Sequence, residues 1–327
     1  MKSLLTKLFE DKKLSQEEAE EAVTNIAAGK YNNYQIASFL TVFRMRPITV
    51  EELSGFRDAL YNLCLKVDFS DFNTIDLCGT GGDNKNTFNI STLSSFIVAG
   101  AGIHVAKHGN YSVSSNCGSS NVLEYFGYKF TNDENILKRQ LEQANICFMH
   151  APLFHPAMKN VAPVRKEMRV KTFFNILGPI VNPCNPQNQL VGVYNLETAR
   201  LYDYFFQNSD KNYSIVYSYD GYDEISLTGD FKIISREGDF VYSTEDINLK
   251  KYSERDLYGG ETVEEAGKIF KDILSGEGTE AQNNVVLVNS AFAIKCVTQK
   301  SFPDCLEIAK DSLFNKKAFN SLKKITE

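Results

Sequence analysis

A glycine cluster set between two apolar runs constrains this chain more than any other feature. A short apolar run, Ile75 and Leu77, enters Gly79, Gly81 and Gly82, and the polar stretch Asp83 to Thr92 then leads into an apolar segment, Leu93 to Ala99. That order reads as strand, tight turn and helix, and a strand-like run at Ile103 to Ala106 completes a βαβ unit. Glycines at such a turn remove the side chains that would keep an anion from the backbone amides, and the helix that follows offers free N–H groups at its positive end. Taken alone, the glycines are better explained by the sterics of the turn. The dinucleotide spacing Gly-x-Gly-x-x-Gly and the nucleotide-triphosphate signature Gly-Lys-Ser/Thr are both missing from it. A capping role for Ser91 or Thr92 accounts for one residue of the polar group Asp83, Thr87, Asn89, Ser91 and Thr92, not for the group.

The grammar repeats downstream. Helices are expected at Ser119 to Phe126 and Asn132 to Ala144, the latter with Thr131 and Glu134 as a capping box, and strands at Ile146 to Met149, Leu190 to Val193 and Tyr213 to Ser218. A helix fits Thr198 to Phe206, a hairpin about Arg236-Glu237-Gly238-Asp239 fits Lys232 to Tyr242, and the C-terminal part is helical. The segment before Thr74 is helical only: Ser15 with Glu18 and Thr49 with Glu52 are capping boxes, Tyr34, Ile36, Ala37, Leu40 and Phe43 outline an apolar stripe, and Gly29 closes a helix. Between His150 and Pro186, prolines at 152, 156, 163, 179, 183 and 186 among basic residues break the alternation, an excursion out of the sheet. The fold class is therefore α/β, a mostly parallel central sheet flanked by helices, with a smaller all-helical domain.

Three further loops add chemistry. Lys107-His108-Gly109-Asn110 lies at the C-terminal end of the second strand, the edge where open α/β sheets bind ligands. Ser112, Ser114, Ser115, Gly118 and Ser119 form a second hydroxyl- and glycine-rich loop, and two anion-binding loops on one edge suit a ligand with two phosphates. Asp220, Asp223 and Glu224 follow the strand at Tyr213 to Ser218; hard oxygen donors of this kind suit magnesium on a pyrophosphate, although a solvated acidic turn is the commoner fate of such a pair. The stretch His155 to Lys171 is basic, and its Arg165 offers a fork for a carboxylate. His104, His108, His150 and His155 lack metal-ligand spacing.

Composition sets bounds. At 327 residues, 43% hydrophobic and 23% charged, the chain has material for about two globular domains. A net charge of −6 argues against broad polyanion binding, so any phosphate site is local. Seven scattered cysteines with no Cys-x-x-Cys pair point to reduced thiols; with no signal sequence or membrane span expected, the reading is cytoplasmic.

The motifs GTGGDNKNTFNIST (Gly79–Thr92), KHGN (Lys107–Asn110) with its serine-rich loop, HPAMKNVAPVR (His155–Arg165), FNILGPIVNP (Phe174–Pro183) and DGYDE (Asp220–Glu224) together resemble the anthranilate phosphoribosyltransferase family. The resemblance implies a nucleoside phosphorylase/phosphoribosyltransferase-like fold, with residues 1–70 and about 153–184 as the helical domain and 71–152 with 185–327 as the α/β domain. It implies transfer of a phosphoribosyl group from phosphoribosyl pyrophosphate to anthranilate in tryptophan biosynthesis, with Mg2+ as cofactor, in a homodimer joined through the helical domain. By the same match Gly79, Gly82, Asp83, Thr87, Asn89, Ile90, Ser91, Thr92, Lys107, Ser115 and Ser119 would hold phosphoribosyl pyrophosphate. Ser91, Asp223 and Glu224 would hold the metal, and Gly79, His108, Asn110, Arg165 and Pro179 would meet anthranilate. Departures are Tyr111 where many members carry Arg, and Asn116 and Ser120-Asn121 in place of the usual Lys and Ala-Asp. Two other readings remain open from the sequence: a pyrimidine-nucleoside phosphorylase-like enzyme, disfavoured by Arg165 and the HPAMK segment, and a non-catalytic nucleic-acid-binding relative, disfavoured by the negative charge and the retained carboxylates.

Overall fold

Polar caps start the first helices. In the computed structural model, which describes residues 1–111 and 117–327, the chain opens with α1 (Lys2–Phe9), α2 (Gln16–Ala27), α3 (Asn33–Met45) and α4 (Val50–Leu63). Ser15 with Glu18 and Thr49 with Glu52 form reciprocal capping boxes, and Asn32 with Gln35 forms a third that was not anticipated. Gly29, at φ +70°, follows the end of α2 in the left-handed conformation expected of it. Helix α3 buries Ile36, Phe39, Leu40 and Phe43. Tyr34, assigned by sequence to that stripe, is 86% exposed; two residues from Ile36, it points about 200° away around the helix, and Phe39 takes its place.

These helices form one compact unit, Met1–Val67 with Ala151–Asn185. Gly55 lets α4 press on α2, since a Cβ there would lie 2.2 Å from the carbonyl oxygen of Gln16. Phe39, Phe43 and Phe56 meet Phe173, whose ring stacks on Phe56 at 4.2 Å. Arg46 and Glu52 pair at 2.6 Å with side chains 9% and 0% exposed, and Glu52 also accepts from the Leu14 amide at 2.9 Å. Burial alone would raise the Glu52 carboxyl, but hydrogen bonds from Arg46 and from the Leu14 and Thr49 amides hold it below its usual range.

The second unit, Asp68–His150 with Pro186–Glu327, carries the sheet. In chain order it runs β1 (Ile75–Gly79), α5 (Ile90–Gly100), β2 (Val105–Gly109), α6 (Ser119–Tyr125), α7 (Glu134–Ala144) and β3 (Ile146–His150). The chain then contributes α8 (Ala151–Phe154) and α9 (Ala162–Met168) to the first unit before resuming with β4 (Asn188–Gly192), α10 (Leu196–Gln207), β5 (Asn212–Ser218) and the hairpin β6 (Phe231–Ser235) and β7 (Gly238–Tyr242). Helices α11 (Val263–Leu274), α12 (Glu280–Thr298), α13 (Phe302–Phe314) and α14 (Lys317–Thr326) close it. The strand order is β3-β2-β1-β4-β5-β6-β7; β1 to β5 are parallel and the hairpin is antiparallel. Helix α5 is buried from Ile90 to Ala99 apart from Ser91, as a helix covered on every side requires.

Three sequence expectations are corrected. Helix α7 is capped by Asp133, whose side chain accepts from the Asn135 and Ile136 amides, not by a Thr131–Glu134 box. Neither Ser91 nor Thr92 caps α5; it starts at Ile90 behind Asn89, which places both in its first turn. Strand β2 begins two residues later than its apolar pattern and continues through Lys107, His108 and Gly109, because backbone pairing with Phe148, Met149 and His150 extends it past the apolar residues.

The Glu52 pair yields a stability prediction. Glu52→Gln leaves the Arg46 charge buried without a counter-charge and is expected to lower the unfolding free energy by about 3 kcal/mol. Urea denaturation at neutral pH checks this. Because the folded carboxyl titrates below its unfolded value, the loss should shrink as acid protonates Glu52 in the parent protein.

Candidate active site

Strand β1 pairs with β2 on one side and with β4 on the other, so the connections after β1 and after β4 run to opposite sides of the sheet. The crevice beyond the carboxyl ends of those two strands is the topological switch point, where open α/β sheets take their ligands. The register sets Gly79 opposite Gly192 at these ends. Asp223 occupies the space left by their missing side chains: a Cβ on Gly79 would lie 2.1 Å from its Oδ2, and one on Gly192 would lie 1.5 Å from its carbonyl oxygen.

The glycine turn and the acidic loop meet here. Asp223 Oδ2 accepts from the Gly81 amide at 2.7 Å, Glu224 Oε1 accepts from the Ser91 amide at 2.9 Å, and Ser218 Oγ donates to the Glu224 carbonyl at 2.6 Å. Gly81, Gly82 and Asn84 have φ of +67°, +79° and +61°, so the turn is left-handed where glycine and asparagine tolerate it. Two amides of the expected anion cradle are thus engaged by carboxylates drawn from 142 and 133 residues away.

Burial, with crowding added at Asp223 and Glu224, raises the proton affinity of these acids. Burial, then the Asp83 charge, pushes Asp223 up to about 7, with the Gly81 amide opposing. Burial likewise raises Glu224 well above its ordinary range, followed by repulsion from Asp223 and Asp83; the Ser91 amide and the Lys107 charge work against the rise. Burial raises Asp83 despite hydrogen bonds from the Lys85 amide and Asp223. Such a cluster attracts a cation or the positive charge of a ligand–metal complex.

Among the described residues, no group of three or more His, Cys, Asp or Glu side chains could hold a metal ion by itself. This donor set still fits magnesium, which keeps several waters and is bound by one or two carboxylates together with substrate phosphates.

The second loop has its own arrangement. Lys107 is 2% exposed and donates through Nζ to the Leu77 carbonyl, and the His108 amide donates to Asp76 Oδ1 at 3.2 Å. The carbonyl of Asn110, itself exposed, accepts from Ser119 Oγ at 3.1 Å and from the Ser120 amide at 3.3 Å. The departures have structural roles: Tyr111 donates its hydroxyl to Glu124 at 2.6 Å and sets its ring edge-on to His150, Ser120 Oγ meets His150 Nδ1 at 2.9 Å, and Asn121 accepts from the Gly118 amide at 2.9 Å. Ser115, with Ser112, Ser114 and Asn116, lies outside the described residues.

Of the remaining candidates, Asn89 donates its side chain to the Cys117 carbonyl at 3.0 Å, Ile90 and Thr92 are buried, and Thr87 bridges to Tyr258. That bridge belongs to a strap that sequence reasoning missed: Phe88 N donates to the Leu257 carbonyl at 3.1 Å and Gly259 N to the Asn86 carbonyl at 2.9 Å. A Cβ on Gly259 would lie 2.4 Å from the Thr87 oxygen, so only glycine permits the strap to close on this loop. Gly192 was missed as well; its one sequence signal is a glycine at the end of an apolar strand. In the helical unit, Arg165 is half-buried, lies 5.4 Å from the Phe174 ring and 3.4 Å from Asn175 Oδ1, and has no carboxylate partner among the described residues. Pro179 is buried in a 3-10 turn at Gly178–Ile180.

The chain resembles known proteins along its whole length. A family model described as glycosyl transferase family, a/b domain, matches residues 71–319, and the helical bundle domain of the same family matches residues 2–64. The chain is 58% identical to the anthranilate phosphoribosyltransferase of Flavobacterium johnsoniae over 327 residues, 100% of this chain and 99% of that protein. Among solved structures it superposes on the anthranilate phosphoribosyltransferase of Thermus thermophilus with a TM-score of 0.92 at 27% identity, covering 98% of each chain. It superposes on the Saccharomyces cerevisiae enzyme, solved in complex with PRPP and Mg, with a TM-score of 0.90 at 24% identity, covering 99% of this chain and 96% of that one.

The glycine pair at the strand ends supports a direct test. Gly192→Ala drives a methyl group into the Asp223 backbone and should destabilise the protein by about 1–3 kcal/mol. Gly178→Ala, whose Cβ meets nothing within 4 Å, should not. Equal denaturation midpoints for the two variants would show that the acidic loop moves aside freely.

Proposed function

The chain belongs to the anthranilate phosphoribosyltransferase family, and we propose that its reaction runs at the switch-point crevice beyond β1 and β4. The chain is a pentosyltransferase of tryptophan biosynthesis: the phosphoribosyl group of phosphoribosyl pyrophosphate passes to the amino nitrogen of anthranilate and pyrophosphate leaves. The observation that carries the placement is the meeting of the glycine turn with Asp223 and Glu224 at the Gly79–Gly192 end of the sheet.

In this reading Gly79, Gly82, Asp83, Thr87, Asn89, Ile90, Ser91, Thr92, Lys107, Ser115 and Ser119 hold phosphoribosyl pyrophosphate. Oriented donors at this turn would stabilise the growing negative charge of the departing oxygens without reorganising. The bond from the anomeric carbon to the pyrophosphate oxygen breaks through an oxocarbenium-like state as the bond to nitrogen forms, the nitrogen's released proton passing to pyrophosphate or solvent, and binding supplies the orientation that a weakly basic arylamine needs. Asp223, Glu224 and Ser91 are the residues that would hold magnesium, which when bound neutralises charge on the pyrophosphate.

Gly79, His108, Asn110, Arg165 and Pro179 are assigned to anthranilate. The lack of a carboxylate partner for Arg165 among the described residues supports pairing with the anthranilate carboxylate. A homodimer built through the helical unit belongs to the same proposal. No helix among the described residues is long and apolar enough to cross a membrane, and we place the enzyme in the cytoplasm.

Loss of anthranilate fluorescence on mixing with phosphoribosyl pyrophosphate and magnesium tests the activity. No loss at ample enzyme concentration would sink it. Arg165→Ala should raise the KM for anthranilate at least tenfold with a smaller change for phosphoribosyl pyrophosphate, as about 1.4 kcal/mol of a charged hydrogen bond implies. Asp223→Asn should show the reverse split, and interchanged KM effects would refute both assignments.

The Asp223 carboxyl also predicts a pH dependence. It keeps its proton up to about pH 7, and a bound cation must displace that proton. Calorimetric affinity for magnesium pyrophosphate should therefore weaken as pH falls from 8 to 6, and more steeply in the parent than in Asp223→Asn. Parallel profiles would remove Asp223 from the metal site.

A further inference from the structure

Helix α12 is apolar along its buried length, with Val285, Val286, Val288, Phe292 and Ile294 all inside, and an asparagine only 2% exposed interrupts it at position 289. A carboxamide taken out of water must find hydrogen-bond partners, so its placement marks what it bonds to. Asn289 finds its partners in a backbone 64 residues away. Its Oδ1 accepts from the Ile225 amide at 3.1 Å, and its Nδ2 donates to the Ile225 carbonyl at 2.9 Å and to the Val285 carbonyl in its own helix at 2.8 Å. One side chain thus grips both backbone groups of a single residue, and that residue directly follows Asp223 and Glu224.

The loop needs such a grip. Two residues further on, the buried Leu227 has φ +57°, a left-handed conformation that a residue with a large side chain keeps only where its surroundings impose it. Ser218 Oγ holds the Glu224 carbonyl, and the Tyr252 amide holds that of Leu227 at 2.9 Å. Asn289 is the contact between these two, reaching the acidic loop from the helix behind it.

We infer that Asn289 is a positioning residue of the metal–pyrophosphate site: by clamping Ile225 it sets the directions in which Asp223 and Glu224 present their carboxylates. This rests on the reading of those carboxylates as the holders of magnesium. Neighbouring Ser290 supplies a control, because its Oγ donates to the Val286 carbonyl at 2.6 Å in the same helix, with a longer approach of 3.5 Å to the Ser94 carbonyl of α5, and not to Ile225.

Asn289→Asp, which keeps the acceptor and removes the donors, Ser290→Ala and Asp223→Asn are to be titrated calorimetrically with magnesium pyrophosphate beside the parent, with folding checked by circular dichroism. Removing a group that orients a metal ligand commonly costs about 10–100-fold in metal affinity. Asn289→Asp is expected to bind at least about tenfold more weakly and to raise the KM for phosphoribosyl pyrophosphate more than it lowers kcat. Ser290→Ala is expected to melt at a lower temperature yet bind within twofold of the parent. Parent-like binding by Asn289→Asp, or equal weakening in Ser290→Ala, overturns the inference. If Asp223→Asn binds as tightly as the parent, the metal-site reading itself fails; if Asp223→Asn weakens binding and Asn289→Asp does not, only the positioning role fails. Should Asn289→Asp not fold, Asn289→Ser, too short to reach Ile225, is read by the same criteria. Failure of both to fold assigns Asn289 to stability alone and overturns the positioning role.

Discussion

The seating of Asp223 against Gly79 and Gly192 is the constraint on which the rest of the site depends. Parallel pairing of β1 with β4 sets the two glycines side by side at the strand ends, and a methyl group on either would occupy space that Asp223 fills. From that seat the carboxylate reaches the Gly81 amide, Glu224 reaches the first turn of α5, and Asp83 is drawn close enough to raise the proton affinity of both. A site built by backbone approach tolerates little substitution at its glycines, because the contacts removed are measured in fractions of a side chain.

The same seat has an electrostatic cost that suits the chemistry. Three acids in a partly desolvated crevice repel one another, and the amides facing them offset only part of that repulsion. In the proposed reading a magnesium–pyrophosphate ligand would relieve it, the cation being held by the carboxylates. Binding placed where charge develops on the leaving group is the general route to accelerating a displacement of this kind.

The surrounding elements act as braces. Ser218 and Asn289 hold the acidic loop from behind, the strap through Leu257 and Gly259 holds the glycine turn from its flank, and Ser119 and Ser120 hold Asn110 at the start of α6. Beside the KHGN segment and in α6, Tyr111, Ser120 and Asn121 make hydrogen bonds to Glu124, His150 and Gly118.

Much of this was legible in the amino-acid order. Period-two and helical patterning with capping residues located most strands and helices, since burial of one face and satisfaction of free amides act over a few residues. The glycine turn, the KHGN segment and the acidic pair were recognisable for the same reason: each is a short run whose residue types carry its chemistry. Patterning misplaced the start of β2 and the cap of α7, and put Tyr34 on the wrong face of α3, where neighbouring choices compete within a turn. What only the tertiary structure decided was which distant groups meet. None of Gly192, Gly259 and Asn289 was singled out by the sequence reading. Their roles arise from strand register and helix packing, which join distant positions and leave no local trace in the sequence.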